Sequence, residues 1–561
     1  MWVRVSRAAR RSATSVACVA VLLLAAACSD SPPPVSPVVT GIEWAPNDNP
    51  RVPLAVTVGF TTDRPVRPSV VLDDGERSVT LDRWPDAATE HELLLLGFHP
   101  DRDYEVRVLF REEDGATTDG PSWRWTSPPL PDSFPPLHVT VSRPERMEPG
   151  VTLLPCQRWP GRGNHDQEFT ALVALDAYGE VVWFYDAPYA ISEAKWSRDG
   201  HLLFYYGTLG NVVEMDMLGN VIRQWGATRF PGKVNPEGAL PIDTGTIHHD
   251  VSELPDGRLL ALSTELRYFE SYPASETDPT VNRSPSWVVG DVIMVIEEDG
   301  TVAKRWSVLD ILNPYRIGYE SLDWGFWMGV YENVEEAPLR DWAHVNSVQY
   351  DEQDHALIVS SYHQDTVFKM DFETGELVWM LAFPSGWDQD WKQYLLTPVG
   401  EGLYPFHQHA ARVTPQRTIL MFDNGKYRAL PYQPKMSAEE SFSRAVEYAI
   451  DKDTMEFREV WSYGGRVGEI FFTPFLGETD WLPVKGHVLV TDGGRVRTPD
   501  GRPADHPAMG QKWARVFEVT HEMPAEVVFE VVIDDPTFGW TVYRSERLPS
   551  LYPEPVGEGA P

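Results

Sequence analysis

Between residues 170 and 531 one hydrophobic–polar pattern recurs along the chain. An alternating apolar run meets an Asp or other turn residue and then a Gly or its equivalent. A second alternating run follows, usually carrying a Trp. The pattern appears as LVALDAYGEVVWFY (172–185), VVEMDMLGNVIRQW (212–225), VIMVIEEDGTVAKRW (292–306), VFKMDFETGELVW (367–379), VEYAIDKDTMEFREVW (446–461) and VFEVTHEMPAEVVFEV (516–531, without the Trp). A two-residue period interrupted by turn residues predicts antiparallel hairpins. Five of the gaps hold a second hairpin signal: AKWSRDGHLLFYYG, HHDVSELPDGRLLALS, HVNSVQYDEQDHALIVSS, HQHAARVTPQRTILMFDNG and TDWLPVKGHVLVTDGG. Two hairpins per period make a four-stranded sheet, and six such sheets around an axis make a β-propeller over 131–561. The stretches 264–290 and 312–342 read as insertions covering one mouth of its channel.

Upstream, 38–130 also alternates, in VVTGIEWAP, LAVTVGFTTD, PSVVLDD, HELLLLGF, DYEVRVLFREE and SWRWTSPP. This spacing predicts a small seven-strand β-sandwich of fibronectin III or Ig-like type. The 48 Pro and 41 Gly are scattered as turn residues rather than clustered, which agrees with an all-β chain. Residues 1–27 read as a signal peptide: Arg4, Arg7, Arg10 and Arg11 precede the short apolar run SVACVAVLLLAAA. LLLAAACSD resembles a bacterial lipobox, which implies cleavage before Cys28 and lipid on its thiol. Residues 28–37 are then a Pro-rich tether. The expectation is an exported, membrane-anchored lipoprotein facing the periplasm or cell exterior, touching the membrane through its lipid anchor only.

Charge narrows the partners. The formal net charge is −35 and no basic cluster tracks a phosphate backbone, so nucleic acid is not an expected partner. An anionic substrate needs a site that is locally positive or rich in donors. Of the three cysteines, Cys18 lies in the signal segment and Cys28 is the lipid site, leaving Cys156 as a core residue with no disulfide partner.

Aligning the second hairpins on their turns sets His248-His249-Asp250, Trp342-Ala343-His344-Val345-Asn346 and His407-Gln408-His409 alongside one another on the strands nearest the axis. Alternation favours His248, which shares the register of His344, while His249 shares that of His409, and either of the adjacent pair is a candidate for the channel. Zinc suits His and Asp. However, these motifs offer Asn and Gln rather than Cys or Glu, and HHD is not HExxH. The cluster is therefore read as free of metal and cofactor: donors around one nucleophilic imidazole, suited to transfer of an anionic group.

IHHDVSELPDG, DWAHVNSVQYD with LIVSSYHQDTVFKMD, HQHAARVTPQRTILMFDNG, SRAVEYAID and VYRSERL together resemble the bacterial arylsulfate sulfotransferases of the PAPS-independent type. The resemblance implies a ping-pong reaction between an aryl sulfate donor and a phenolic acceptor. His409 would become sulfohistidine, His344 and Asn346 would bind the sulfuryl oxygens, and His248 or His249 would assist. The family pattern SSRHQD stands here as SSYHQD, so Tyr362 replaces an arginine expected to pair with sulfate. Tyrosine brings one donor and no charge. His363, Arg412 and Arg444 are candidates to compensate, and Tyr319, Trp324, Trp327 and Tyr331 are candidates equally for the acceptor pocket and for packing of the covering insertion. Two alternatives stand beside transfer: a non-catalytic ligand-binding propeller, or a hydrolase releasing sulfate to water.

Overall fold

The structure is a computed structural model. It describes residues 36–553 apart from 112–116, 160–168, 208–209, 233–234, 324, 328, 332–333, 335–336 and 401. The signal segment, Cys28 and Trp324 lie outside the described residues.

Among the described residues six strands form the N-terminal unit, where the sequence predicts seven. Val56–Asp73 runs through the whole of it. Its first half pairs with Val39–Pro46 and Ala88–Leu95, and its second half pairs with Ser78–Leu81 and Asp103–Arg111. The two runs LAVTVGFTTD and PSVVLDD are thus one continuous strand that passes from one sheet into the other. Alternate residues of these strands meet between the sheets: Val58, Phe60, Val70, Leu93, Val106 and Phe110 are all buried there.

Beyond it, the described residues form six sheets of four or five strands. Each outer hairpin of the repeat is an antiparallel pair, from Phe169–Leu175 with Val181–Ala187 to Gln511–Thr520 with Val527–Ile533. Each second element supplies the two inner strands. Two crossed pairings join the chain ends: Leu137–Ser142 adds to the outer edge of the last sheet, while Gly539–Val542 and Glu546–Leu548 pair with Val151–Trp159 of the first. The stretch 264–290 proves to be largely strand. Leu259–Tyr272 and Ser284–Ile296 continue pairing into it from both sides, with a register shift between Phe269 and Tyr272.

Apolar seams hold neighbouring sheets together, and the recurring Trp explains them. Trp183 donates to Met217 O at 3.0 Å, and Trp225 donates to Glu298 O at 2.9 Å, each in the next sheet. Trp306 packs on Phe372, Trp379 joins Ile419, Met421 and Tyr448, and Trp461 stacks on His521. In the last repeat, which lacks the Trp, Phe529 fills the seam against Leu175 and Val173. A tryptophan spans such a gap with 150–250 Å² of apolar surface and one N–H that a loop carbonyl can accept.

Candidate active site

The innermost strands Lys195–Trp196, His248–Glu253, Val345–Asp351, His409–Val413, Glu478–Leu482 and Gly539–Val542 come from six different sheets. Side chains stitch them to each other's backbones. Asp250 Oδ2 accepts from Val348 N at 3.0 Å, and Gln349 Oε1 accepts from Val413 N at 2.6 Å. Three of these strands carry a bulge at the matching place, between His248 and Val251, Val345 and Ser347, and His409 and Arg412. His249, His344 and Ala410 there have φ of 57°, 47° and 53°, a left-handed conformation that costs about 1 kcal/mol or more outside glycine. The bulges cancel strict alternation, which is why register counting favours His248 whereas the structure sets His249 against the other histidines.

His249 packs against the other histidines, 4.8 Å from the His344 ring, while His248 sits behind it against Trp327. Tyr362 lies between His344 (5.7 Å), His363 (5.2 Å), His407 (4.7 Å) and His409 (5.0 Å). The predicted residues His249, His344, Tyr362, His363 and His409 are therefore one contiguous cluster.

Hydrogen bonds fix the tautomers. Asn424 donates its amide hydrogens to Thr473 O (2.9 Å) and Leu476 O (2.7 Å), so its Oδ1 must accept from His409 Nδ1 at 2.7 Å. His409 Nε2 is left with its lone pair. Burial pushes this imidazole down to about 3, with nearby Arg544, His344 and His407 adding to the shift against the Asn424 bond, so it is neutral. His248 Nε2 donates to Ser263 O at 3.0 Å, so His248 Nδ1 accepts from His249 Nδ1 at 2.7 Å. That leaves His249 Nε2 unprotonated as well. Burial holds His248 at about 4 and His249 well below the ordinary histidine value, with the charge on His344 adding to both shifts.

His344 is the exception. Burial alone would lower it, but Asp341 Oδ2 at 2.6 Å from Nδ1 outweighs burial and holds it above the ordinary value, so its Nε2–H is a charged donor. Asp341 also accepts from Trp327 Nε1 at 2.9 Å. Asp341, His344 and His363 bring ligand atoms within 4.8 Å of one another, a metal-compatible grouping. Here those atoms are engaged by protons: His344 Nδ1 on the Asp341 carboxylate, and His363 Nδ1 on the Asp341 carbonyl at 2.6 Å.

Other assignments change. Asn346 Nδ2 donates to Gln408 O at 2.8 Å and its Oδ1 accepts from Ala410 N at 3.4 Å, so it straddles His409 and holds that strand. The Tyr362 hydroxyl donates to Pro474 O at 2.6 Å, which uses its one donor. Arg444 is committed to Asp423 and Glu459, and Arg412 to Asp250, Glu193 and Glu478. Tyr319 is buried with its hydroxyl on Gln433 O, and Tyr331 bonds Thr264. Cys156 is buried, and burial pushes its thiol far up.

Four residues that sequence reasoning gave no role complete the site. Asn424 stands in FDNG, Asp341 in DWAHVNS, and Phe326 in the 312–342 segment. Arg544, in VYRSERL, is fully buried, donates to Asn346 O at 2.5 Å and pairs with Glu193 at 2.7 Å. Apart from Phe326, all lay in quoted stretches; what hid them was the absence of any local signal for where a side chain reaches across sheets.

Arylsulfate sulfotransferase AssT of Escherichia coli O6:H1 is 29% identical over 364 residues, 58% of this chain and 56% of that protein. Arylsulfate sulfotransferase AssT of Lelliottia amnigena is 31% identical over 234 residues, 34% of this chain and 38% of that protein. The chain thus spans about half the length, or less, of the curated relatives it matches. Among solved structures, the periplasmic gluconolactonase PpgL of Pseudomonas aeruginosa overlays with a TM-score of 0.31 at 13% identity, covering 70% of this chain and 99% of that one; the overlay is too shallow to bear on function. The family profile described as Arylsulfotransferase (ASST) matches residues 138–544, which takes in every inner strand and the whole histidine cluster. The chain belongs to the arylsulfotransferase family.

Proposed function

We propose that the protein transfers a sulfuryl group from an aryl sulfate ester to a phenolic acceptor, through a sulfohistidine on His409. The observation that supports this best is the His409–Asn424 bond, which leaves a neutral Nε2 lone pair beside a charged His344 donor. In the first half-reaction His409 Nε2 attacks sulfur and the S–O bond to the aryl group breaks. The leaving phenolate takes the proton of the His344 imidazolium. In the second, the acceptor phenol returns a proton to His344 as its oxygen attacks sulfur and the S–N bond breaks. Sulfuryl transfer has a loose transition state with charge on the peripheral oxygens, as phosphoryl transfer does, so a preorganised cation and donors matter more than covalent assistance. His344 is a charged donor within the imidazole cluster, and Arg544 adds positive charge that His409 feels. His249, braced by His248 and through it by Ser263 O, assists by holding the His344 ring in place at 4.8 Å.

Export and lipidation at Cys28 belong to the same reading, with the N-terminal unit as a spacer between membrane and propeller. The assay is turnover of p-nitrophenyl sulfate with and without phenol. Release of nitrophenol that phenol stimulates, and that His409→Asn abolishes, supports transfer. Sulfate release independent of phenol makes the protein a hydrolase. No turnover across a panel of aryl donors overturns catalysis and leaves a ligand-binding propeller.

A further inference from the structure

Among the described residues of 312–342, Phe326 is the aromatic side chain that is both exposed, at 59%, and seated against the imidazoles. Its ring stands edge-on to His344 at 4.7 Å and leans on His249 at 5.5 Å, with 34° between the planes. A lone exposed apolar side chain is ordinary on a protein surface. This one covers the two imidazoles that face the reacting groups, while the rest of the ring remains open.

Its backbone is held firmly. Trp327, next in the chain, is buried and bonded to Asp341, and its ring meets Phe326 edge-on at 4.8 Å. Val330 N and Tyr331 N both donate to Trp327 O at 3.0 Å. On the other side, Asp341 N donates to Asp323 O at 2.7 Å and Arg340 to Leu322 O at 2.7 Å. Asp341 therefore fixes His344 and the segment bearing Phe326 with one carboxylate. The side chain is presented by a braced loop rather than left over on the surface.

We infer that Phe326 is the wall on which the aryl ring stacks, so that it selects aryl over alkyl sulfates; this rests on the transfer reading of the histidine cluster. An aryl group bonded through oxygen to a sulfur at the His409–His344 position extends outward over Phe326. There the ring quadrupoles favour offset or edge contact, a gain that an alkyl chain of similar area does not share. Donor and acceptor are both aryl and occupy the site in turn, so one wall serves both halves of the reaction.

The test is equilibrium binding of 4-methylumbelliferyl sulfate and of hexyl sulfate to full-length protein carrying His409→Asn, where turnover does not intervene. Adding Phe326→Ala should weaken the aryl ligand about five- to tenfold, while Phe326→Trp keeps it within about twofold of the parent. Hexyl sulfate should change by no more than about twofold in any variant. Equal weakening of both ligands, no weakening of either, or no aryl binding by the parent overturns the assignment. Failure of the transfer reading shows separately, as aryl binding to the wild type without turnover.

Discussion

At the scale of single residues, side chains are spent or left free, and the bonding partners decide which. Tyr362 occupies the place of an expected cation-bearing residue, yet its hydroxyl is already bonded to Pro474 O. Tyr362→Phe is therefore expected to leave kcat/KM on p-nitrophenyl sulfate within about twofold and to cost about 1 kcal/mol in urea unfolding. A loss of activity of a hundredfold would mean that the hydroxyl turns to the sulfuryl group. In the proposed reaction His344 supplies the charge instead, and Asp341 holds it protonated above the ordinary histidine range. Because its value is raised, the charged form persists above pH 6.5 and activity falls as pH rises through that raised value. Asp341→Asn removes the cause, so the alkaline limb of the kcat profile should move to lower pH. His409, held at about 3, is already neutral and should add no acid limb near 6.5. An unmoved alkaline limb would take the proton away from His344.

Elements were legible where pattern and packing agree. The outer hairpins could be read because period-2 alternation and Asp-Gly turns survive in the fold, and the terminal Trp proved to be the seam between sheets. Trp225→Ala, which empties a buried site and orphans Glu298 O, should cost about 3–5 kcal/mol by urea denaturation. A loss under about 1 kcal/mol would mean that the sheets are held elsewhere. Within the site, reading by element failed in identifiable ways. The bulges at His248–Val251 and His409–Arg412 break the alternation on which register counting depends. Asn424 and Asp341 act through orientation, which residue type alone does not carry. Tyr319 and Trp327, which residue type leaves open between pocket wall and packing, are both buried packing, whereas Phe326 beside them is the exposed one.

For the whole molecule, the two crossed pairings at the chain ends close a ring whose axis holds charge as well as histidines. Glu193, Lys195, Asp250, Arg412, Glu478 and Arg544 come from the innermost edges of the ring and meet in buried ion pairs. Removing one partner of such a network costs more than the network contributes as a whole, because a buried charge is left unpaired. The cluster thus fixes how the inner strands meet, and Arg544 carries that constraint directly to Asn346, whose amide holds the strand of His409. The propeller brings side chains some 160 residues apart in sequence within reach of one another, and the central claim is that the assembled cluster makes His409 the nucleophile. Intact-mass and peptide mapping after mixing with p-nitrophenyl sulfate, without acceptor, tests it most directly. The account predicts a sulfuryl adduct on the peptide containing His409 that disappears when phenol is added. Turnover with no adduct, or an adduct on any other residue, would contradict it.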